Sequence, residues 1–294
     1  AHLEVAVATY DSEKHHANAF LTSQDVGVTA RSVSSMVLFL MGETEQALAR
    51  SRDAIALAAR LKHPFSQAYA LGCAAWLNAY RRESEAMSTR AAETIELSTA
   101  QALGFWLVWG TIFAGRALAD AGEGRAGAKH MEESLAMYRG IGSGMVVPYF
   151  LALLAEVLAR NGEAGRALAV LADARVVMQH GEMFPAAEID RLEGEIRLAR
   201  AGAAGRPVEP TEAAEIERLF RQALDLAQRQ GAHLFALRAA TSLARQLQAD
   251  ATASDARRLL STAIARIADQ TPTRDLADAQ ALLLTLTNAT TSVA

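Results

Sequence analysis

AEVLARNGEAGRALAVLADARVV, residues 155–177, places a small residue at Ala155, a Gly-Glu pair at 162–163, and small residues again at Ala167 and Ala174. Read alone, this is the seam of a helical hairpin. Small residues let two helix backbones approach closely, and apolar residues a turn away fill the space between neighbours. The glycine tolerates the left-handed conformation that ends one helix, and the acid favours the N-terminus of the next.

The same pattern recurs every 40 residues without a slip. Gly42-Glu43, Arg82-Glu83, Gly122-Glu123 and Gly162-Glu163 stand in register. Ser35, Ala75, Gly115 and Ala155 form a small-residue column before the turn. Ala54, Thr94, Ser134 and Ala174 form another after it, followed by the apolar column Leu57, Leu97, Met137 and Val177. A single hairpin cannot bury its own apolar face, so such repeats stack into a solenoid. The expected fold is all-α, with about six hairpins along one domain, 1–294. Within it, residues 1–41 read as a partial N-terminal repeat and 42–198 as the regular repeats. Residues 199–211, ARAGAAGRPVEPT, read as an inserted loop rich in Gly, Ala and Pro. The pattern resumes over 212–286 with Ala223-Leu224 and with Ala256 and Leu259-Leu260, and 287–294 read as a frayed tail.

Composition agrees with helices. Hydrophobic residues make up 51% of the chain but aromatics only 6%, so alanine and leucine supply most apolar surface. A net charge of −4 without a basic stripe argues against nucleic-acid binding. Cys73 is the only cysteine, which excludes an internal disulfide or a thiolate zinc site and fits a reducing cytoplasm. The first residues, HLEVAVATY, read as helix without an initiating Met, as expected of a piece of a longer protein. Residues 97–115, LSTAQALGFWLVWGTIFAG, carry no charge. Ser98, Thr99, Gln101 and a break at Gly104 divide the run into a helix end and a buried helix start, not a membrane span.

The spacing small-x6-Gly-x4-small-x6-small at Ala155, Gly162, Ala167 and Ala174 resembles the tetratricopeptide repeat. Ser35, Gly42, Ala47 and Ala54 show it too. The period exceeds that family's 34 residues. This resemblance implies a right-handed superhelix with a concave groove lined by the first helix of each hairpin.

A narrower resemblance rests on YDSEKHHANAF (10–20), QDVGV (24–28) and FLMGETEQALARSRDAIALAARLKHPFSQAYAL (39–71). The later LVWGTIFAGRAL, PYFLALLAEVLARNGEAGRAL and AEIDRLEGEIRLA extend it over nearly the whole chain. These segments are similar to the C-terminal repeat region of large bacterial signalling ATPases. In that family the region follows an ATPase module, often with an adenylate or guanylate cyclase domain or a winged-helix regulator ahead of it. The resemblance implies a non-catalytic, cytoplasmic interaction and regulatory module. Its partner would be a protein or peptide segment, the parent's own ATPase or cyclase module included. No cofactor or metal is implied.

Several residue groups invite a chemical reading. Asp11 and His15 have the spacing of a helical metal pair, with His16 beside them, but no third ligand stands at compatible spacing. Tyr10-Asp11-Ser12 reads instead as a helix end followed by a cap. GEGRAG, 122–127, satisfies G-x-G-x-x-G, yet a helix precedes it and Lys129 is followed by His130, so neither nucleotide motif is complete. Glu188, Asp190, Arg191, Glu193 and Glu195 read as a solvated, self-paired helix face. No nucleophile turn occurs, and enzyme activity is not expected of this chain.

On the groove implied by the repeat, one column is Tyr69, Trp109 and Tyr149. A second is Trp76, Arg116 and Glu156, with Arg160, Arg238 and Arg245 further along. Aromatics supply contact area and arginines bidentate pairing, which suits a peptide or, alternatively, a sensed small molecule. The same columns also fit packing between repeats.

Overall fold

The computed structural model describes residues 2–179, 183–205, 207–249, 253–269 and 271–291. Among the described residues every regular element is helical. The chain opens with α1 (His2–Thr9), α2 (Ser12–His15) and, after a tight turn at His16–Asn18, α3 (Ala19–Thr22). Longer helices follow: α4 (Val26–Leu40), α5 (Thr44–Leu61), α6 (Pro64–Arg81), α7 (Ser84–Ala100), α8 (Gly104–Asp120) and α9 (Gly124–Gly140). Then come α10 (Val147–Arg160), α11 (Ala164–Met178), α12 (Ala186–Ala203) and α13 (Pro210–Gln230). The last are α14 (His233–Ala249), α15 (Ala253–Ala265) and α16 (Arg274–Thr291).

Two compact units emerge. The first comprises Ala1–Phe39 with Glu43–Ser143, the second Leu40–Gly42 with Gly144–Ala294. In the first, α5 through α9 pack on one another in chain order, and α6 also packs on α8. In the second, α10 through α16 do the same, with α10 on α12, α12 on α14 and α14 on α16. Within each unit, hairpin therefore lies against hairpin in sequence order, as a helical solenoid requires.

The turns repeat as exactly as the sequence does in spacing. Backbone N–H groups of Glu43, Glu83, Glu123 and Glu163 donate to the carbonyls of Leu38, Asn78, Leu118 and Leu158 at 2.9–3.0 Å. Each glutamate is the N-cap of α5, α7, α9 or α11, yet none caps with its carboxylate, so the acid acts through its charge at the helix start. Gly42, Gly122 and Gly162 take φ of +86°, +100° and +82°, and Arg82 takes the same left-handed turn at +59°.

Burial follows the small-residue columns. Ser35, Ala75 and Ala155 are buried, as are Ala54, Thr94, Ser134 and Ala174. The third column is buried unevenly: Leu57 is buried, and Leu97 and Val177 are half-buried. Met137 is 58% exposed, whereas the next position is buried in every repeat, at Ala58, Ser98, Tyr138 and Met178. Ala47, Ser51, Ala54 and Ala58 recur at helical steps of three and four, so position 58 continues the buried stripe, with Leu57 buried beside it. Where α8 and α9 cross, a Cβ on Gly127 would lie 2.3 Å from the Gly115 carbonyl oxygen. The two backbones touch.

Two boundaries differ from expectation. Helix α12 runs through Ala203 and α13 starts at Pro210, so the connection is much shorter than 199–211. Ala201 is fully buried, which holds the helix past the glycine-rich composition. Helix α16 continues through the expected tail to Thr291, and residues 292–294 lie outside the described residues. As expected, the uncharged run 97–115 is divided, at 101–103, between α7 and α8. No helix among the described residues is long and apolar enough to cross a membrane.

Candidate functional site

One connected polar site lies in the first unit, where α1 and α2 meet the starts of α4 and α6. Asp25 is its centre and is fully buried. Its Oδ1 accepts from the backbone N–H of Gly27 (2.9 Å) and Val28 (3.0 Å), capping α4. Its Oδ2 accepts from the Tyr10 hydroxyl (2.8 Å) and from His16 Nδ1 (3.1 Å). The Asp25 backbone N–H donates to Ser66 Oγ at 2.8 Å.

The proton order of the next link follows from its neighbours. His63 Nδ1 accepts from the Ser66 backbone N–H, which makes His63 the N-cap of α6. Ser66 Oγ lies 2.9 Å from that same Nδ1, so its hydroxyl donates there while accepting from Asp25. His63 is therefore neutral, with its proton on Nε2. Burial holds its pKa below the ordinary histidine value, and the nearby His16 lowers it further. Burial and the bond to Asp25 push the Tyr10 hydroxyl above the usual phenol range.

Rings enclose the network. His16 and His63 stand 6.1 Å apart, and Phe20 lies edge-on to both, at 5.8 Å and 5.5 Å. Phe20 and Leu21 are 75% and 84% exposed. The Arg31 guanidinium sits 5.4 Å above the Tyr10 ring and donates to the Gly27 carbonyl at 3.0 Å.

This resolves the first motif as a joint. Asp11 caps α2 by accepting from the Glu13 N–H, and His15 Nδ1 accepts from the Asp11 N–H at 2.9 Å. Both are engaged locally, and among the described residues no group of three His, Cys, Asp or Glu could hold a metal ion. Nor is Ser66–His63–Asp25 a nucleophile triad. Asp25 receives His16 rather than His63, and Ser66 is fully buried with its oxygen already accepting a backbone proton.

A second polar cluster lies in the second unit. Arg238 of α14 donates to Asp275 of α16 at 2.8 Å and 3.0 Å and to Glu188 of α12 at 3.2 Å. Glu188 also receives both forks of Arg191 at 2.8 and 2.9 Å, and Ser242 donates to Glu195 at 2.5 Å. The carboxylate run is neither wholly self-paired nor wholly solvated: Arg175 of α11 binds Asp190 and Glu193, and Glu188, 6% exposed, binds Arg238 of α14. The paired carboxylates hold the Arg191 and Arg238 guanidiniums above their ordinary range despite the opposing cost of burial.

The groove columns fall in both units. In the first, Trp76, Trp109 and Arg116 are 7%, 2% and 7% exposed, and Tyr69 is half-buried. Trp76 meets Trp109 edge-on at 5.5 Å, Trp109 meets Trp106 at 5.2 Å, and Trp106 meets Tyr69 at 5.1 Å. Arg116 pairs with Asp120 at 3.1 Å, and Ser84 donates to the same carboxylate. Burial raises the Tyr69 hydroxyl and pushes the Cys73 thiol up to about 12. In the second unit, Tyr149 is buried and Glu156 half-buried, while Arg160 and Arg245 are exposed. Tyr149 lies 6.1 Å from the Phe184 ring. Sequence reasoning did not single out Asp25, His63 and Ser66, although all three lie inside motifs it quoted. An Asp directly before an apolar helix start is the signal that finds Asp25.

No family model matches the chain, and no curated protein matches it. Among solved structures, the crystal structure of the apo form of RapI aligns at a TM-score of 0.48 and 15% identity, covering 80% of this chain and 84% of that one.

Proposed function

We propose that the chain is a non-catalytic interaction and regulatory module of a larger bacterial signalling ATPase, linked to a cyclase or winged-helix output. It receives a protein segment along its first helices. The supporting observation is the side-by-side packing of successive first helices, α6 on α8 and α10 on α12 on α14, which sets equivalent positions in rows. Glu156, Arg160 and Arg245 offer accessible charge along such rows, with Arg238 held by its acidic partners. The packed Trp76 and Trp109 give a small-molecule reading of the aromatic column less support.

The convergence of YDSEKHH, QDVGV and HPFSQAYAL on Asp25 supports the narrower family reading, because separated motifs then serve one joint. Bound partner would favour one arrangement of the repeats over another and so bias the attached module. Mixing the purified chain with ATPase and cyclase modules of such a protein tests this. Saturable binding with a changed turnover is expected, with a weaker complex for the Arg160→Glu, Arg245→Glu variant. Absence of binding and of any change in turnover overturns it.

A further inference from the structure

A cleft of about 500 Å³ opens between α13, α14 and α15 in the second unit. Its floor is apolar: Leu224, Leu243, Leu247 and Leu259 line it, with Ala236 and Ala263 between them. Five charged side chains rim it, and four of them are already matched. Arg221 grips Glu217 at 2.6 and 2.9 Å, and Arg258 grips Asp255 at 2.9 Å. The fifth is Arg266, whose guanidinium has no hydrogen bond or ion pair among the described residues. The rim thus has one uncompensated positive charge over an aliphatic floor. A volume of this order is typical of small-ligand sites built from apolar walls and a few placed polar groups.

We infer that this cleft binds an aliphatic carboxylate, with its chain on the leucine floor and its carboxylate on Arg266. Arginine is suited to the task, because its planar fork meets a carboxylate through two hydrogen bonds. A cationic amphiphile would meet Arg266 with like charge. A neutral one would use the floor alone.

His233, one helical turn before Ala236, supplies an internal reporter. Its Nδ1 is buried and without a hydrogen-bond partner. Burial lowers its pKa first, and the charge of Arg266 lowers it further. A carboxylate on Arg266 would cancel that second influence.

The site lies apart from the groove positions assigned above, so it stands or falls independently of the proposed partner binding. The test is calorimetric titration of the whole chain with decanoate, decylammonium and decanol, alongside NMR titration of His233. Decanoate is expected to bind at one site and to weaken at least tenfold in Arg266→Gln, while decanol binding is unchanged by that substitution. Saturating decanoate should raise the His233 pKa, and Arg266→Gln should raise it without ligand. Thr262→Trp, at an exposed position on the cleft wall, should block decanoate and decanol alike and guards against a folding defect in the first variant. Failure of decanoate to bind, equal binding by Arg266→Gln or Thr262→Trp, or equal binding of decylammonium overturns the inference.

Discussion

The Tyr10 ring lies so close on Gly27 that a Cβ at that glycine would stand 2.6 Å from three ring carbons. The contact fixes the ring, and the ring delivers its hydroxyl to Asp25 at 2.8 Å. Gly27→Ala should therefore destabilise the chain by about 1–3 kcal/mol, the usual penalty of an overpacked core. Tyr10→Phe should cost about 1–3 kcal/mol by leaving a buried carboxylate short of a donor. The two substitutions act on one joint, so the double variant should lose less than their sum. Urea denaturation measures all three, and an unchanged midpoint for Gly27→Ala would contradict the packing described.

Acid should loosen the same joint through His63. Its folded-state pKa lies below the ordinary value of about 6.5, so the unfolded chain binds more protons. The stability this group contributes is full above the unfolded pKa and is lost as pH falls through the folded one. A protonated His63 cannot accept from the Ser66 N–H, so the α6 cap goes with it. His63→Asn retains a good capping side chain while removing the titration. The expected outcome is a flatter dependence of the urea midpoint between pH 7.5 and 5. Some slope should remain, because His233 is shifted in the same direction. Identical slopes for the two proteins would rule out the linkage.

How much of this was legible in the sequence depends on range. Repeat spacing located the hairpin turns because each turn is a local device, one left-handed residue and one N-terminal acid, and local devices recur as letters. Arg82 shows the limit, since it makes the turn without glycine. The buried column at 58, 98, 138 and 178 was missed because Leu57, Leu97, Met137 and Val177 look more apolar than Ala58 or Ser98. At 98, 138 and 178 burial follows helix phase, while Leu57 is buried along with Ala58. Asp25 was missed for a different reason. Its hydrogen-bond partners lie 15 residues upstream and 41 downstream, and no spacing rule joins them. Composition likewise ended α12 too early, because Ala201 is held by packing that a glycine-rich string does not reveal.

The α8–α9 crossing separates packing from propensity. At Gly127 an added Cβ would also stand 2.8 Å from the Ala119 nitrogen, so backbone opposes it from two directions. Gly127→Ala should cost about 1–3 kcal/mol or more despite the better helix propensity of alanine. Gly165, near the start of α11, has nothing within 4 Å of such a Cβ. Gly165→Ala should instead stabilise by about 0.5–1 kcal/mol. Opposite shifts in melting temperature check the pair, and equal signs would deny the close approach.

Arg238 decides whether the ion cluster of the second unit is structural. Its side chain is 12% exposed, and those of Asp275 and Glu188 are 5% and 8% exposed. Arg238→Met would take the guanidinium away from both Asp275 and Glu188. Breaking a buried pair from one side typically costs about 3–5 kcal/mol, because the remaining charge stays buried. Arg238→Lys keeps the charge but lacks the fork that spans α12 and α16, so an intermediate loss is expected. Arg229, ion-paired to Asp225 on the same unit with both side chains more than half exposed, is the control. Its replacement by alanine should change stability by about 0–1 kcal/mol. Equal denaturation midpoints for Arg238→Met and Arg229→Ala would mean that water reaches the cluster and that α12, α14 and α16 do not depend on it.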